Sequence, residues 1–376
     1  MADFTQNTDF WIINVSLVFV LCVFFAGIVI PQILLIAFRR KLFDVPDERK
    51  IHQGAVPRLG GIAFKPVIFF SVFLLLGIDM MVGHTEVLSE IGKDAQPLFF
   101  GFCSIIVLYL VGIADDLIGV KYRAKFFVQV LCGVMLIAGG VYLDDLNGIL
   151  GIHELPAWIG YLLTVLATVF IINAINLIDG IDGLASGLCS IACLFYGVIF
   201  FLFEKYIYSM LAFATLGVLM PFFYYNVFGK VEHHKKIFMG DTGSLTIGMM
   251  LCFLSIRLVQ CGADEGGKIL NPMILAFSPL IIPCFDVVRV YLHRVRNGKN
   301  PFLPDKNHIH HKLIAIGMKQ RTVMILIIAV SLLFTLGNIL LSKYIEINLL
   351  LVIDIAIWTL VNIGLSRRIK KLQSNA

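Results

Sequence analysis

Long apolar segments alternate with short polar segments along almost the whole chain. Hydropathy along the sequence predicts eleven membrane-spanning helices, over residues 11–37, 62–84, 97–114, 126–143, 157–176, 183–203, 206–228, 242–260, 270–293, 322–342 and 345–366. A helix of about twenty residues rises ~30 Å, which matches the hydrocarbon thickness of a bilayer. The pattern therefore predicts an all-α, polytopic integral membrane protein with about 11 transmembrane helices.

The composition excludes a soluble globular protein. Of the 376 residues, 59% are hydrophobic and only 15% are charged, and the mean hydropathy is +0.90. A soluble protein of this length needs far more polar surface. The eight cysteines form no CxxC pair, and we expect buried thiols rather than metal ligands or disulfides. Because no internal repeat or soluble domain is detectable, residues 1–376 are interpreted as a single transmembrane domain.

Basic residues predict how the chain is oriented in the membrane. Loops after odd-numbered spans, together with the C-terminal tail, hold 23 Lys and Arg residues, whereas loops after even-numbered spans hold four. Cytoplasmic loops carry the excess of positive charge, so we expect the N-terminus outside and the C-terminus in the cytoplasm. The first ten residues lack a basic region, and the apolar segment that follows is too long for a signal peptide. We therefore expect the first span to be retained.

Five polar clusters border the ends of the predicted spans, all on the predicted cytoplasmic side. They are VPRLGG (56–61), ADD (114–116), NAINLIDGIDG (173–183), FMGDTGS (238–244) and DKNHIHHK (305–312). A transporter more often places its carboxylates on broken helices in the middle of the membrane. Clusters at one interface instead indicate a reaction between a cytosolic substrate and a component of the lipid leaflet.

The aspartates of these clusters predict a divalent cation. Five carboxylates near one face would repel each other, by roughly 4 kcal/mol for a pair ~4 Å apart at an effective dielectric of about 20. Carboxylate and amide oxygens favour Mg²⁺ or Mn²⁺ over zinc, and Mg²⁺ commonly binds one or two protein groups together with phosphates. The five aspartates are Asp115, Asp116, Asp179, Asp182 and Asp241.

Each motif also has a simpler structural interpretation. The pair Asp115–Asp116 alone would suit a solvated loop, as we interpret Asp144–Asp145 on the opposite side. Asp241 opens a helix, where Asp, Thr and Ser are favoured caps, and where free N–H groups would also attract phosphate. The basic residues after Asp116 favour the functional interpretation, because they would hold anions against the membrane.

Three histidines follow the ninth span. His308, His310 and His311 lie close together, but no fourth Cys or His stands at the usual spacing for zinc. Since the surrounding loop is basic, phosphate binding through imidazole N–H groups fits these residues better. A solvated histidine run is the alternative.

Taken together, the motifs resemble those of the polyprenyl-phosphate N-acetylhexosamine-1-phosphate transferases, a glycosyltransferase family of integral membrane enzymes. The matching segments are DVPDERKIHQGAVPRLGG, GIADD, NAINLIDGIDGLASG, YYN, FMGDTGSL and PDKNHIHHKL, and they extend from about residue 44 to 313. The resemblance implies transfer of a sugar 1-phosphate from a UDP-sugar to polyprenyl (undecaprenyl) phosphate, with release of UMP. The product would prime synthesis of a cell-envelope polysaccharide such as a cell-wall polymer or lipopolysaccharide O-antigen.

The resemblance is stronger to the arm of the family that uses UDP-N-acetylglucosamine, the WecA- and TagO-like enzymes. Ile309 interrupts the run of three histidines that is typical of the arm using UDP-MurNAc-pentapeptide, and that arm usually has ten spans. One departure concerns the position assigned to Phe238: the link between Asn226 and Phe238 is longer than expected in the pentapeptide arm. Transfer of the pentapeptide substrate or of another UDP-N-acetylhexosamine is the alternative activity. A non-enzymatic membrane transporter is a more remote alternative.

By position, the resemblance implies roles for individual residues. The implied metal ligands are Asp241 and Asn176, with Mg²⁺ as the expected cofactor and Mn²⁺ as its substitute. The implied catalytic residues are Asp115, Asp116, Asp179, Asp182, His308, His310 and His311, with the first two near the lipid phosphate. The implied substrate-binding residues are Arg58, Lys125, Asn173, Asp182, Asn226, Phe238, Arg294 and Arg296.

The resemblance also implies partners and location. The expected partners are the UDP-sugar donor, the polyprenyl phosphate acceptor and the membrane, with no nucleic acid; a homodimer is left open. The expected location is the bacterial plasma membrane, with the active site on its cytoplasmic face.

Overall fold

The computed structural model describes residues 2–43, 56–264, 271–298 and 307–374. Two predicted features fall partly outside these ranges. The family-like core beginning near residue 44 includes residues 44–55, and the basic loop 294–311 includes residues 299–306; these two segments lie outside the described residues.

The described chain is helical, with no β-strand in the ranges given above. Its α-helices are α1 (Ala2–Arg40), α2 (Phe64–Val82), α3 (Glu86–Lys93), α4 (Ala95–Ile118), α5 (Tyr122–Ala138), α6 (Ala157–Ile178), α7 (Leu184–Leu202), α8 (Tyr206–Val227), α9 (Gly240–Asp264), α10 (Pro272–Phe277), α11 (Ile281–Arg296), α12 (Ile309–Ala315), α13 (Gln320–Leu341) and α14 (Ile347–Ser374). Short 3₁₀ helices cover Gly60–Ala63, Ile149–Gly151 and Ser278–Leu280. The all-α prediction is confirmed.

Ten of the helical segments in the described chain are long and apolar enough to cross a membrane, counting α10 and α11 as one segment. The remaining predicted span, 126–143, corresponds to α5, which has only 17 residues. Gln96, at the start of α4, donates a hydrogen bond to the carbonyl of Ala138 at the end of α5 (2.8 Å). Asp115, near the end of α4, contacts Lys125 near the start of α5 (2.9 Å). The helix α5 therefore runs antiparallel to α4 over the same thickness, as a short eleventh pass.

The helix ends define two faces of the molecule. We call the face where α4 ends and α5 begins the site face. The N-terminal part of α1 lies at the opposite face, where Trp11 stacks on Tyr206 at the start of α8 (4.8 Å between ring centroids). The start of α14 lies there too, since Asn348 donates a hydrogen bond to the carbonyl of Gly148 (2.8 Å). The last turns of α14 therefore reach the site face, and the two chain ends lie at opposite faces.

The helix α9 forms the centre of the bundle. Within an apolar 18-residue stretch of its spanning segment Gly240–Gly262, 94% of the residues are buried, whereas in the corresponding stretches of α1 and α14 only 28% and 22% are buried. Outer helices expose apolar side chains because lipid, like a protein core, solvates them. The buried cation Arg257 of α9 is paired with Asp94 (2.6 Å) and contacts Tyr208 (3.1 Å). This pairing satisfies a charge that would otherwise be costly at this depth.

Two details differ from the hydropathy prediction. The predicted span 270–293 is interrupted by the 3₁₀ turn Ser278–Leu280, where Pro279 cannot donate a backbone hydrogen bond. The short helices α3 and α12 were not predicted, because they lie in polar connections. The predicted fifth span, 157–176, agrees closely with α6, which ends at Ile178.

Candidate active site at the site face

The structure brings together residues from all five polar clusters. The ends of α4 and α6 and the beginnings of α5 and α9 meet at the site face, and the turn between α6 and α7 borders them. The helix α12 closes one side, since the imidazole of His310 lies against Gly180. The predicted convergence thus results from the alternation of helix directions in the bundle.

Lys125 is the cation at the centre of the carboxylates. Its Nζ lies 2.9 Å from Asp115 Oδ2 and 2.7 Å from Asp241 Oδ2. The other oxygen of Asp115 accepts a hydrogen bond from the Val120 backbone N–H (2.6 Å). Lys125 therefore joins α4, α5 and α9 and compensates the repulsion between two of the predicted carboxylates.

The carboxylate of Asp116 accepts its hydrogen bonds from the start of α9 rather than from Lys125. Its Oδ1 accepts the backbone N–H of Asp241 (2.8 Å), and its Oδ2 accepts the backbone N–H (2.8 Å) and the hydroxyl (2.6 Å) of Thr242. It thereby caps the first N–H groups of α9, which have no partner within the helix. The expectation that these two N–H groups are free for phosphate is wrong, because the neighbouring carboxylate already binds them.

Glycines allow this close approach. A Cβ at Gly61 would collide with the backbone of Gly243, and a Cβ at Gly112 would collide with the backbone of Thr242. Gly240 adopts φ +71°, and a Cβ there would collide with the carbonyl of Arg58. The motif VPRLGG therefore contributes a surface without side chains, against which the start of α9 packs.

Two asparagines of α6 play different parts. Asn176 donates hydrogen bonds to Asp241 Oδ1 (3.0 Å) and to Ser244 Oγ (2.8 Å), so its amide lies beside the central carboxylates. Asn173 lies one turn earlier and exchanges hydrogen bonds with Gln129 of α5, the shorter being 2.7 Å. Asn176 thus belongs to the carboxylate cluster, while Asn173 links α6 to α5.

The turn between α6 and α7 carries the other two aspartates. The side chain of Asp179 is exposed at the surface of the cleft, but many protein atoms surround it. These atoms displace the water that would stabilise the charged carboxylate, and this desolvation is the main cause that raises the pKa of Asp179 to about 7. The charge of Asp241 also raises this pKa, whereas that of Arg58 lowers it. Asp182 forms an ion pair with Lys236 (2.5 Å).

Asn226 and Phe238 hold the loop after α8. Asn226 accepts the backbone N–H of Gly183 (2.6 Å) and donates to the carbonyl of Ile237 (2.8 Å), so its side chain ties the two loops together. The Phe238 backbone pairs with the carbonyl of Pro57 (2.9 Å) and the N–H of Gly60 (3.0 Å). The Phe238 ring lies 6.0 Å from Lys236 Nζ. The Phe238 ring is half-buried and lies beside Lys236, the ion-pair partner of Asp182. This position suits a nucleotide pocket.

The histidines lie on and just before α12. His308 is buried, and its Nδ1 lies 2.7 Å from Asp286 Oδ2, while Asp286 also accepts the backbone N–H of Ile309 (3.0 Å). His310 is only 1% exposed, and neither of its ring nitrogens has a hydrogen-bond partner in the described part of the chain. Burial, followed by the neighbouring His311 and His308, lowers the pKa of His310 to about 3, so this imidazole is neutral near pH 7.

The two predicted arginines of α11 occupy separate surroundings. Arg294 is buried on α11. Arg296 is exposed and lines a groove between α11 and α14. The structure thus places Arg296 at the wall of this groove, and Arg58 near Asp179 at the carboxylate cluster.

The carboxylate cluster suits a cation that takes few protein ligands. In the described ranges, no group of three or more His, Cys, Asp or Glu side chains is arranged to hold a metal ion. Mg²⁺ commonly takes one or two carboxylates and completes its coordination with water and substrate phosphates. The Asp241 carboxylate, with the side-chain amide of Asn176 beside it (3.0 Å), fits such a partial set.

Several site residues were missed from the sequence. Lys236, Gln129 and Ser244 are ordinary polar residues whose roles depend on contacts between helices. Asp286 gave a usable signal, because a carboxylate within an apolar span is a functional candidate by default.

The comparisons with known proteins agree with this arrangement. Residues 98–259 match the family described as glycosyl transferase family 4. An undecaprenyl-phosphate alpha-N-acetylglucosaminyl 1-phosphate transferase of Yersinia pestis is 31% identical over 308 residues, which cover 81% of this chain and 78% of the relative. The protein of the same name from Escherichia coli (strain K12) is 30% identical, over 89% of this chain and 83% of the relative. A probable undecaprenyl-phosphate N-acetylglucosaminyl 1-phosphate transferase of Bacillus subtilis (strain 168) is 31% identical, over 88% and 86%. The chain therefore belongs to glycosyl transferase family 4.

Proposed function

We propose that this protein transfers N-acetylglucosamine 1-phosphate from UDP-N-acetylglucosamine to undecaprenyl phosphate and releases UMP. The observation that carries the proposal is the cluster of Lys125, Asp115, Asp241 and Asn176 at the ends of four spanning helices. Such a cluster suits a reaction between two phosphates, one water-soluble and one anchored in lipid. The relatives' names give both substrates.

We further propose that Asp241 and Asn176 hold Mg²⁺, with Mn²⁺ as a substitute. When bound, the ion supplies positive charge that neutralises the pyrophosphate of the donor. The remaining phosphate charge is met by the cations that the chain itself provides, Lys125 and Arg58 near the carboxylates and Lys236 beside Phe238.

The proposed reaction is one direct displacement. An oxygen of the lipid phosphate attacks the β-phosphorus of the donor, a new P–O bond forms, and the bond from the β-phosphorus to the bridging oxygen breaks. UMP leaves with that electron pair. A phosphate monoester has its second pKa at about 6, so the attacking group is largely dianionic near pH 7 and needs no general base.

The surroundings of Asp115 and Asp116 support direct displacement over an aspartyl-phosphate intermediate. Asp115 is bound by the Lys125 ammonium and the Val120 N–H, and Asp116 accepts three hydrogen bonds from the start of α9. A carboxylate whose lone pairs are already engaged is a poor nucleophile. We assign Asp115 to positioning Lys125, and Asp116 to positioning Asp241.

In this proposal the neutral imidazole of His310 donates a hydrogen bond to the phosphates or the sugar of the UDP-sugar. It lies against Gly180, next to Asp179, and its ring nitrogens are unpaired within the described residues. His308 is oriented by Asp286 and stacks nearly parallel to His310 (5.8 Å between centroids, 9° between planes). The pair therefore presents two imidazoles in a fixed orientation.

We propose that the site face is cytoplasmic and that the membrane is the bacterial plasma membrane. The helices α1, α11 and α14 end at this face with basic last turns, which include Arg39, Arg40, Arg296 and Lys371. The UDP-sugar is a cytosolic metabolite, so a cytoplasmic site lets it reach the lipid phosphate without crossing the bilayer.

The test is UMP release by the purified full-length protein in lipid nanodiscs. UDP-N-acetylglucosamine, UDP-N-acetylgalactosamine and UDP-MurNAc-pentapeptide are supplied separately with undecaprenyl phosphate, with Mg²⁺ or with EDTA. We expect UMP and labelled lipid only with UDP-N-acetylglucosamine and Mg²⁺. Equal product from the pentapeptide donor would refute the donor assignment, and full activity in EDTA would refute the metal.

Substitutions sharpen the test. Asp241→Ala should lose activity by several orders of magnitude, whereas Asp144→Asn, an exposed aspartate at the opposite face, should retain it. A covalent sugar-phosphate enzyme that accumulates without lipid acceptor would exclude the direct displacement.

A further inference from the structure

A groove of about 840 Å³ runs between α11 and α14, apart from the carboxylate cluster. We call it the α11–α14 groove. It is lined by residues of α11 between Phe285 and Arg296, by Lys312 of α12, and by residues of α14 between Ile355 and Lys370. The lining positions on α11 and on α14 recur every three or four residues, so each helix presents one continuous face.

Polarity changes along the length of the groove. On α14, the face begins with Ile355 and Trp358, continues through Asn362, and ends with the exposed cations Arg367 and Lys370 at the site face. The lining face of α11 also begins with an apolar residue, Phe285, and ends with the basic Arg296, with Arg289 between them. The groove therefore has the profile of a membrane amphiphile, with an apolar part at membrane depth and a cationic part at the interface.

Of the cations of the groove, Arg289 is paired with the buried Asp286, which does not itself line the groove (2.8 Å). None of the residues that line the groove in the described chain is acidic. Within residues 307–374, Lys312 donates hydrogen bonds to the neutral Ser366 (3.0 Å) and Asn362 (3.4 Å). Burial, followed by the charge of Arg289, lowers the pKa of Lys312 to about 8. A bound anion would relieve this repulsion.

We propose that the α11–α14 groove binds an anionic membrane phospholipid, with its phosphate headgroup at Lys312, Arg367 and Lys370 and its acyl chains beside Trp358 and Ile355. Basic pockets between spanning helices on the cytoplasmic side are suited to acidic headgroups. The charge and polarity of the lining therefore favour this occupant over a neutral lipid.

The groove is connected to the histidines of the site. Arg289 lines the groove and forms an ion pair with Asp286 (2.8 Å), which in turn binds His308 (2.7 Å). Lys312 lies on the same short helix as His310. A phosphate bound in the groove would therefore hold α12 from the side opposite the substrates.

The test uses the fluorescence of Trp358 in the full-length protein, reconstituted in phosphatidylcholine vesicles. Phosphatidylglycerol brominated near the middle of its acyl chains is compared with equally brominated phosphatidylcholine at the same mole fraction. Arg367 lies nine residues beyond Trp358, or ~13 Å along the helix, so a mid-chain bromine would lie near the indole. We expect stronger quenching by phosphatidylglycerol, and we expect this excess to disappear in Trp358→Phe.

Charge variants test the headgroup site. The double variant Arg367→Gln with Lys370→Gln should reduce the preference for phosphatidylglycerol roughly 30-fold, because each basic residue near the membrane surface favours an anionic lipid about fivefold. The matched control, Arg39→Gln with Arg40→Gln, removes two exposed cations from the end of α1 and should keep the preference. In the unsubstituted protein, added salt should weaken the preference.

Several results would overturn the proposal. These are equal quenching by the two lipids, a preference that survives in Arg367→Gln with Lys370→Gln, and protection of Trp358 from both lipids, which would indicate a second copy in the groove. Loss of the excess on adding equimolar undecaprenyl phosphate would assign the groove to the acceptor instead. None of these readouts depends on transferase activity, so they stand apart from the test of the proposed function.

Discussion

Replacing Lys125 by glutamine should tighten divalent cation binding while it lowers transferase activity. The Lys125 ammonium lies 2.7 Å from Asp241 and 2.9 Å from Asp115, between the two carboxylates. A divalent cation that binds Asp241 must compete with this ammonium. The glutamine side chain has no charge and cannot compete in the same way.

The magnitude follows from the hydrogen bonds that the cation must replace. A hydrogen bond to a charged group contributes about 1.5–3 kcal/mol net. The side chains of Lys125, Asp115 and Asp241 are 24%, 13% and 27% exposed, so solvent screening favours the lower end of that range. Breaking one such bond costs about 1.5 kcal/mol, which corresponds to roughly tenfold in affinity. We therefore expect the dissociation constant for Mn²⁺ to fall about tenfold in Lys125→Gln.

The assay is titration of the detergent-solubilised protein with Mn²⁺, followed by the electron paramagnetic resonance of the free ion, without substrates. Arg123→Gln is the matched control, because Arg123 is a fully exposed cation two residues away that contacts Tyr122. It should change the affinity little. Unchanged or weaker Mn²⁺ binding in Lys125→Gln would show that the metal does not bind beside Asp241. UMP release should fall in the same variant, because the phosphate loses its cation.

Two further substitutions test positioning. Asp116→Asn should lower the apparent unfolding temperature by roughly 2–3 °C, since it removes a charged cap worth about 2 kcal/mol from a chain of 376 residues, and Asp144→Asn should leave that temperature unchanged. Lost activity with an unaltered unfolding temperature would instead indicate a chemical role for Asp116. Gly180→Ala should raise the KM for the UDP-sugar several-fold, because the added methyl displaces the imidazole of His310, whereas Gly364→Ala, whose methyl would meet open space, should not. An unchanged KM in Gly180→Ala would remove His310 from the donor site.

Hydropathy predicts the spans well because lipid selects for uninterrupted apolar helices of about twenty residues. It is least informative where protein, rather than lipid, surrounds the helix. The break at Ser278–Leu280 and the short helix α5 are defined by packing against α13 and α4, which no single window of sequence records.

The sequence also predicts which residues belong to the site, because polar residues at the end of an apolar span usually have a structural or functional role. It does not predict which of these residues pair with each other. The ion pair of Asp182 with Lys236 and the amide pair of Asn173 with Gln129 join residues 54 and 44 positions apart. Their formation depends on the relative rotation and depth of neighbouring helices, which a hydropathy profile does not report.

The role of Asp116 shows why motif and mechanism differ. Adjacent aspartates suggest two equivalent carboxylates, but a helix turns by 100° per residue, so neighbours point in different directions. Asp115 faces the lysine of α5, and Asp116 faces the start of α9. With its first N–H groups engaged, α9 is a rigid support for Asp241 rather than a phosphate site. In the proposed reaction, the phosphate charge that a divalent cation leaves would then be met by side chains, in keeping with the positions of Lys125, Arg58 and Lys236 at an interface already crowded with aspartates.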